Sequence, residues 1–238
     1  MAQIDRMTER FGSALRLGGG DISAACQACV QVLPVRGAAI LIGERHLGLW
    51  PWSVTGDNAA RIEGLQAVAG AGPAVYAHAT GIPVPLPDVT TPCPRWPEFA
   101  AAVTRESITG AMVSIPLRLG MARLGTLDLF DPDPGMPAPS TIAAARRIAA
   151  LVTAELVSAQ SARAPGWLTP PPASVSIHQA AGMVIAHLNV GAADAYARLR
   201  ALAARQGLTL SEVAERIIAR RLPIAAALDA RPPNPHGD

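Results

Sequence analysis

Two small sets of residues could do chemistry. Cys26 and Cys29 stand three apart, the spacing of half a metal site in which thiolates grip a soft cation. Arg198, Arg200 and Arg205 crowd a later stretch, and guanidinium forks pair with phosphate oxygens. Upstream of them, His178 and Gln179 are adjoining hydrogen-bonding side chains, and Gly182 would let another backbone approach closely. On a helix, Arg198 and Arg205 fall about 20° apart while Arg200 points well away. Arg198 and Arg205 are therefore the better phosphate pair, and Arg200 reads as ordinary surface. Each residue also has a plainer reading. Two cysteines at this spacing share a core face of a helix. Gly182 can seat one helix on another, His178 and Gln179 can lie on a solvated face, and Arg198 can pair with Asp194 four residues before it.

The chemistry of an enzyme does not assemble. The chain has three cysteines, and no second Cys/His pair follows Cys26-x-x-Cys29 at matching spacing. His46 and His78 are isolated. His178 has no Ser, Cys or acid beside it to make a triad. Asp128 and Asp131 read as carboxylates capping a turn near a strand end. Gly70-x-Gly72 lacks the third glycine of a dinucleotide fingerprint. No catalytic residue, metal or cofactor is expected.

The elements that must position His178 to Arg205 are three short amphipathic helices. The first runs from about Ser174 to Leu188, with Ile177, Ala180, Ala181, Val184 and Leu188 on one face. Asn189-Val190-Gly191 breaks it. The second covers about Ala192 to Gln206, buries Ala195, Leu199, Leu202 and Ala203, and stops at Gly207. Thr209-Leu210-Ser211-Glu212 is a capping box opening the third, which buries Val213, Ala214, Ile217 and Ile218 before Pro223.

IHQAAGMVIAHL, ADAYARLRALAARQ and LTLSEVAERIIARRL, in that order, resemble an ANTAR domain, the RNA-binding module of bacterial transcription antiterminators. The resemblance implies that His178, Gln179, Ala181, Gly182, Arg198 and Arg205 lie in the RNA-binding surface. It also implies partners: paired hairpin loops in nascent RNA, bound by a homodimer that reads two loops together. The family often carries Lys where this chain has Ala181.

The rest of the chain is of another kind. Its 238 residues, half of them hydrophobic, suffice for two modest domains. All 20 basic residues are Arg. Residues 1–172 hold 13 Arg and 13 acids, while residues 174–222 hold 6 Arg and 3 acids, a basic balance suited to a phosphate backbone. No apolar run has the length of a membrane span, and the polar start is no signal peptide. A soluble, cytoplasmic protein is expected, with no membrane partner.

Residues 3–33 read as helices broken at Gly18-Gly19-Gly20, with Asp21 or Ser23 as a cap. Gly37 to Ile42 and Gly48 to Val54 read as strands turning through Gly43-Glu44-Arg45. A helix follows over Ala59 to Val68. Gly70 to Pro97 is rich in Gly and Pro and reads as loop with short extended pieces. A short helix covers Trp96 to Glu106. Ala111 to Leu117 and Arg123 to Phe130 form a hairpin turning at Leu119-Gly120-Met121. The order indicates an α+β class, an antiparallel sheet with flanking helices.

LPVRGAAILI, LQAVAGAGPAVYAHATGIPVPLPDV, RWPEFAAAV and SIPLRLGMARLGTLDLF resemble a GAF domain, a sensory module, over roughly residues 20 to 160. The resemblance implies a signal-sensing or dimerisation role. Where the family loop commonly reads G-E-G-P-C, this chain has Gly70 to Ala74 without the acid or the thiol. Val68, Val75, Tyr76 and Ile82 are candidates to line an apolar pocket for a small-molecule ligand; a plain packed core is the alternative.

Residues 138–162 read as a connecting helix. Ile142, Ala145, Ala149, Val152, Leu156 and Ala159 make a seam of alternating three- and four-residue spacings. It could join two copies of the chain or cover the sheet of its own. The expected division is a GAF-like sensory domain with its connecting helix over 1–162, a Pro-rich linker over 163–173, a three-helix ANTAR domain over 174–223 and a flexible tail over 224–238. The function this implies is an RNA-binding antitermination regulator. The alternative is a small-molecule sensor or protein-interaction module with little RNA binding.

Overall fold

Residues 2–19, 22–44, 48–162 and 172–227 are described by the structure, a computed structural model. Asp21, Arg45, the linker residues 163–171 and the tail residues 228–238 lie outside them. Two helices, α1 (Ala2–Leu17) and α2 (Ile22–Val32), precede the strands β1 (Gly37–Glu44) and β2 (Gly48–Thr55). Then come α3 (Asp57–Ala69), α4 (Pro73–Thr80), β3 (Val84–Leu86) and α5 (Pro97–Arg105). The hairpin β4 (Ala111–Leu119) and β5 (Ala122–Asp131) leads into α6 (Pro139–Ala162).

The strands form one antiparallel sheet in the order β2-β1-β5-β4-β3. Alternation along β4 and β5 sorts the side chains between two faces. Val113, Ile115, Leu117, Leu127 and Leu129 pack with Ile40 against α1, α2 and α6. Met112 and Phe130 face the other way, into a core with Ile62 of α3 and Phe99 and Val103 of α5. The outer strands each contain a proline, Pro51 in β2 and Pro85 in β3. The β1–β2 ladder shifts register between Ile40 and Leu41, leaving Trp52 without an opposite residue.

Two expectations are corrected here, and one open alternative is decided. The stretch read as loop after Gly70 holds a helix, α4, because its Pro and Gly are boundary residues. Pro73 begins the helix, where its missing N–H is harmless, and Gly81 closes it in the left-handed conformation at φ 73°. The seam on α6 does not face outward for a second copy. Ala145, Ala149, Val152 and Leu156 are buried in the chain's own core against the sheet, while the side chain of Ala159 lies outside the described residues. Asp128 is no turn cap: it sits mid-strand and is buried.

Cys26 and Cys29 follow the plainer reading. Both thiols are buried in the core beneath β1 and β2, and the Cys26 thiol donates to the Ser53 carbonyl at 3.4 Å. Burial pushes the Cys26 thiol up to about 12 and raises Cys29 as well, so neither ionises near neutrality. Among the described residues no helix is long and apolar enough to cross a membrane.

The C-terminal helices are α7 (Pro172–Leu188), α8 (Ala192–Gln206) and α9 (Leu210–Ile218). Asn189, at φ 52°, ends α7, and Gly207 ends α8. The capping box forms as expected. Thr209 Oγ1 accepts from the Glu212 N–H at 3.2 Å, and Glu212 Oε2 accepts from the Thr209 N–H at 2.8 Å. Ile177, Val184, Leu199, Leu202, Val213 and Ile217 close one small core. The tail is corrected over its first residues: Ile224–Ala227 form a 3₁₀ turn, and Ile224 packs on that core.

Candidate nucleic-acid interface and sensory face

The inward face of α7 is set by Ile177, Ala180, Ala181 and Val184, all buried. One turn round the helix, Val175, Gln179, Gly182 and Ala186 recur at spacings of four and three and are all exposed. A Cβ added at Gly182 would meet nothing within 4 Å. Gly182 therefore seats no neighbouring helix, and the reading as a packing glycine is set aside. Gln179 and Gly182 share an open stripe at which a large partner could approach the helix backbone.

His178 is half-buried at the edge of this stripe. Its Nδ1 lies 2.5 Å from the Tyr196 hydroxyl of α8, with the two rings edge to face. Tyr196 is itself 6% exposed, so it fixes the imidazole against α8. Ala181 is 1% exposed and belongs to the core, which corrects its placement in an RNA-binding surface. A longer side chain here would have to displace packed neighbours.

The arginines separate differently from the sequence expectation. Arg198 donates through Nε to Asp194 at 2.8 Å and is 18% exposed at its side chain, the plainer reading. Arg205 is exposed at the end of α8. Arg200 is not ordinary surface. Its side chain is half-buried beside Gly70, the residue that caps α3, with Nε 3.2 Å from where a Cβ on that glycine would stand. Sequence reasoning passed over Arg216, Arg220 and Arg221, which are exposed in and just beyond the last turn of α9. The run Ala219-Arg220-Arg221 was their signal. Like Arg205, they are exposed cationic side chains of the three-helix domain.

The other half of the chain offers a polar cluster. Glu63 and Gln66 on α3 face Ser114 on β4 and Thr126 and Asp128 on β5, and all five are buried. Gln66 Nε2 donates to Glu63 Oε2 at 2.8 Å and approaches Asp128 Oδ2 at 3.4 Å. Gln66 Oε1 accepts from the Ala74 N–H at 2.8 Å, which ties α3 to the start of α4. Ser114 stands directly opposite Asp128 in the ladder. The Ser114 and Thr126 hydroxyls and Asp128 Oδ1 are buried without a hydrogen bond of good geometry, although both hydroxyls lie close enough to Asp128 to favour its charged form.

Two carboxyls in so dry a site cannot both ionise freely. Burial first, and then the charge of Asp128, hold the Glu63 carboxyl well above its usual range. Burial lifts Asp128 to about 6, against the opposing pull of Glu63, Thr126, Ser114 and Gln66. The pair holds a proton in common. Glu63 and Asp128 are far apart in the chain, and no local pattern marks either one out.

The four candidate pocket residues do not converge on one cavity. Val68 packs against the three-helix domain. Val75 joins Ala39, Leu41, Leu49 and Ala74. Tyr76 meets Trp96 edge to face, with the Arg95 guanidinium 4.3 Å above its ring. Ile82 is 61% exposed.

Comparison with known proteins agrees with the two-part architecture. The GAF domain family model matches residues 22–156, and the ANTAR domain family model matches residues 173–218. Among solved structures, the chain is similar to the GAF domain of a phosphoenolpyruvate-protein phosphotransferase from Coxiella burnetii. That pair is 17% identical, with a TM-score of 0.52 over 68% of this chain and 95% of the other. The GAF domain of an Acinetobacter phosphoenolpyruvate-protein phosphotransferase is 12% identical, with a TM-score of 0.50 over the same shares. Likeness at these identities speaks for the fold alone. No curated protein matches the chain.

Proposed function

We propose that this chain, which belongs to the GAF domain family and carries an ANTAR domain after it, is an RNA-binding regulator of transcription antitermination. The observation that carries the reading is the open stripe on α7. The matched three-helix domain has a closed core of its own, yet it leaves Gln179 and Gly182 uncovered on its first helix. Gln179 supplies donor and acceptor for a base edge, and Gly182 lets RNA reach the helix. Arg205, with Arg216, Arg220 and Arg221 beyond it, supplies exposed charge for phosphate. Hairpin loops in nascent transcripts are the partner, and the regulator acts by favouring RNA hairpins that compete with a terminator. The GAF domain senses a signal or supports a homodimer.

The test is a fluorescence titration with tandem hexaloop hairpins at two salt concentrations. Hairpins should bind more tightly than unstructured RNA. Gln179→Ala should change preference among loop sequences, whereas Arg205→Ala should weaken all RNAs alike and shallow the salt slope by about one contact. Equal, weak binding to hairpin and unstructured RNA would refute the reading. A sensor module with little RNA binding would then replace it. Arg198 paired with Asp194 and the buried Ala181 favour that second reading.

A further inference from the structure

The two domains touch, and the contact involves α3 and α8. Ala67 and Val68 of α3 are partly buried against the apolar cluster of the three-helix domain, and Trp50 of β2 is buried within the same cluster at 6% exposure. At the end of α3, Gly70 adopts the left-handed conformation at φ 63° and carries no side chain. The Arg200 side chain occupies the space beside it. The carboxyl end of a helix favours a cation there.

The contact is only partly closed. Ala67 and Val68 are only partly covered, unlike the fully buried side chains that close each domain's own core. Two polar groups in it are poorly compensated. The Trp50 indole N–H is buried without an acceptor, and no ion pair or hydrogen bond of Arg200 is found among the described residues. Desolvation lowers the Arg200 pKa, the direction expected for a guanidinium removed from water without a carboxylate. A buried donor without a partner weakens the contact that buries it.

We propose that α3 with Trp50 is a docking surface for α8, and that docking withholds Arg200 from RNA phosphate. The proposal rests on the RNA-binding reading and adds a contact residue and its control to it. In the docked state α8 offers RNA only Arg205 at its end, since Arg198 is paired with Asp194. Release frees a second arginine, on another face of the same helix, which exchanges the end of α3 for a phosphate oxygen. The docked chain is then the weaker RNA binder, and whatever moves α3 sets the affinity.

The test uses the full chain with Ala67→Gln and Val68→Asn together, which weaken the docking face without adding charge. Amide exchange of α3 and α8 reports the contact, exchange of β1 and β5 reports the fold, and hairpin titration at two salt concentrations reports function. The double variant should exchange faster at α3 and α8, keep the sheet protected and bind hairpin RNA several-fold more tightly. Its salt slope should steepen by about one phosphate contact, and Arg200→Gln should cancel that gain in the variant while changing the wild type less. Unchanged exchange at α8 would overturn the proposal, as would faster exchange with unchanged or weaker RNA binding. Absence of hairpin binding by every form would instead overturn the RNA reading itself. If the double variant loosens the sheet, Val68→Asn alone is read by the same criteria.

Discussion

Replacing Glu63 by Gln should stabilise the protein, and only above a definite pH. Asp128 titrates at about 6 in the folded chain and near 3.9 in an unfolded one. The folded state therefore holds the extra proton between those values. Stability associated with this group is fully present below about pH 4 and is lost as pH rises through about 6. A rise of about two units corresponds to roughly 3 kcal/mol by the alkaline side of that window. For a chain of this size that is on the order of 6–12 °C in Tm. Glu63, also raised, extends the loss upward in pH. The amide introduced by Glu63→Gln would keep an acceptor for Gln66, offer an N–H to Asp128, and take away the carboxyl whose later ionisation places a second negative charge in the site. The assay is thermal melting by circular dichroism from pH 4 to 8.5. Wild type should lose Tm with rising pH; E63Q should melt several degrees higher at pH 8 and close to wild type at pH 4. If E63Q melts lower at pH 8 by more than it does at pH 4, Glu63 is ionised and paired with a positive group, and the shared-proton account is wrong.

Other expectations follow from placement. Ala181→Lys, which restores the residue common in the ANTAR family, should destabilise the three-helix domain by at least about 2 kcal/mol, because the site is core; a melt shows it, and an unchanged Tm would mean the site is open. Gly182→Ala should raise the stability of α7 by about 0.5–1 kcal/mol, since a methyl there meets nothing. The same change should weaken hairpin binding, and a stabler variant with unaltered affinity would remove Gly182 from the interface. Val152→Glu with Leu156→Glu should unfold the sensory domain by more than about 4 kcal/mol instead of yielding a folded monomer, as size exclusion with circular dichroism would report.

The parts that were legible in the sequence are those with local rules. The capping box at Thr209 and Glu212, the break at Asn189 and the hairpin turn at Gly120 each depend on residues close in the chain. The apolar period of α8 predicted its buried face. The α6 period was equally clear, but a helix that covers its own sheet and one that joins two chains share the same spacing. Only the position of β4 and β5 decided between them. The Gly- and Pro-rich stretch misled because the same residues mark loops and bound short helices. Arg200 and the Glu63–Asp128 pair were hidden for a different reason. Each takes its character from a residue distant in the chain, and burial, which gives a buried carboxyl or guanidinium its chemistry, has no local signature.

The two prolines of the outer strands have a consequence for assembly. A sheet grows by pairing an unsatisfied row of backbone groups with another chain. Pro51 removes a donor from β2 beside the register shift at Trp52, and Pro85 removes one from the middle of the three-residue strand β3. Neither margin offers an unbroken ladder to a second molecule. Continuous edge-to-edge pairing of sheets is thus disfavoured in this protein, and so is the fibre-forming route that begins with it. Helical faces are the better ground for pairing two copies, and the outward side of α6, where Leu151 is 40% exposed, is one such face.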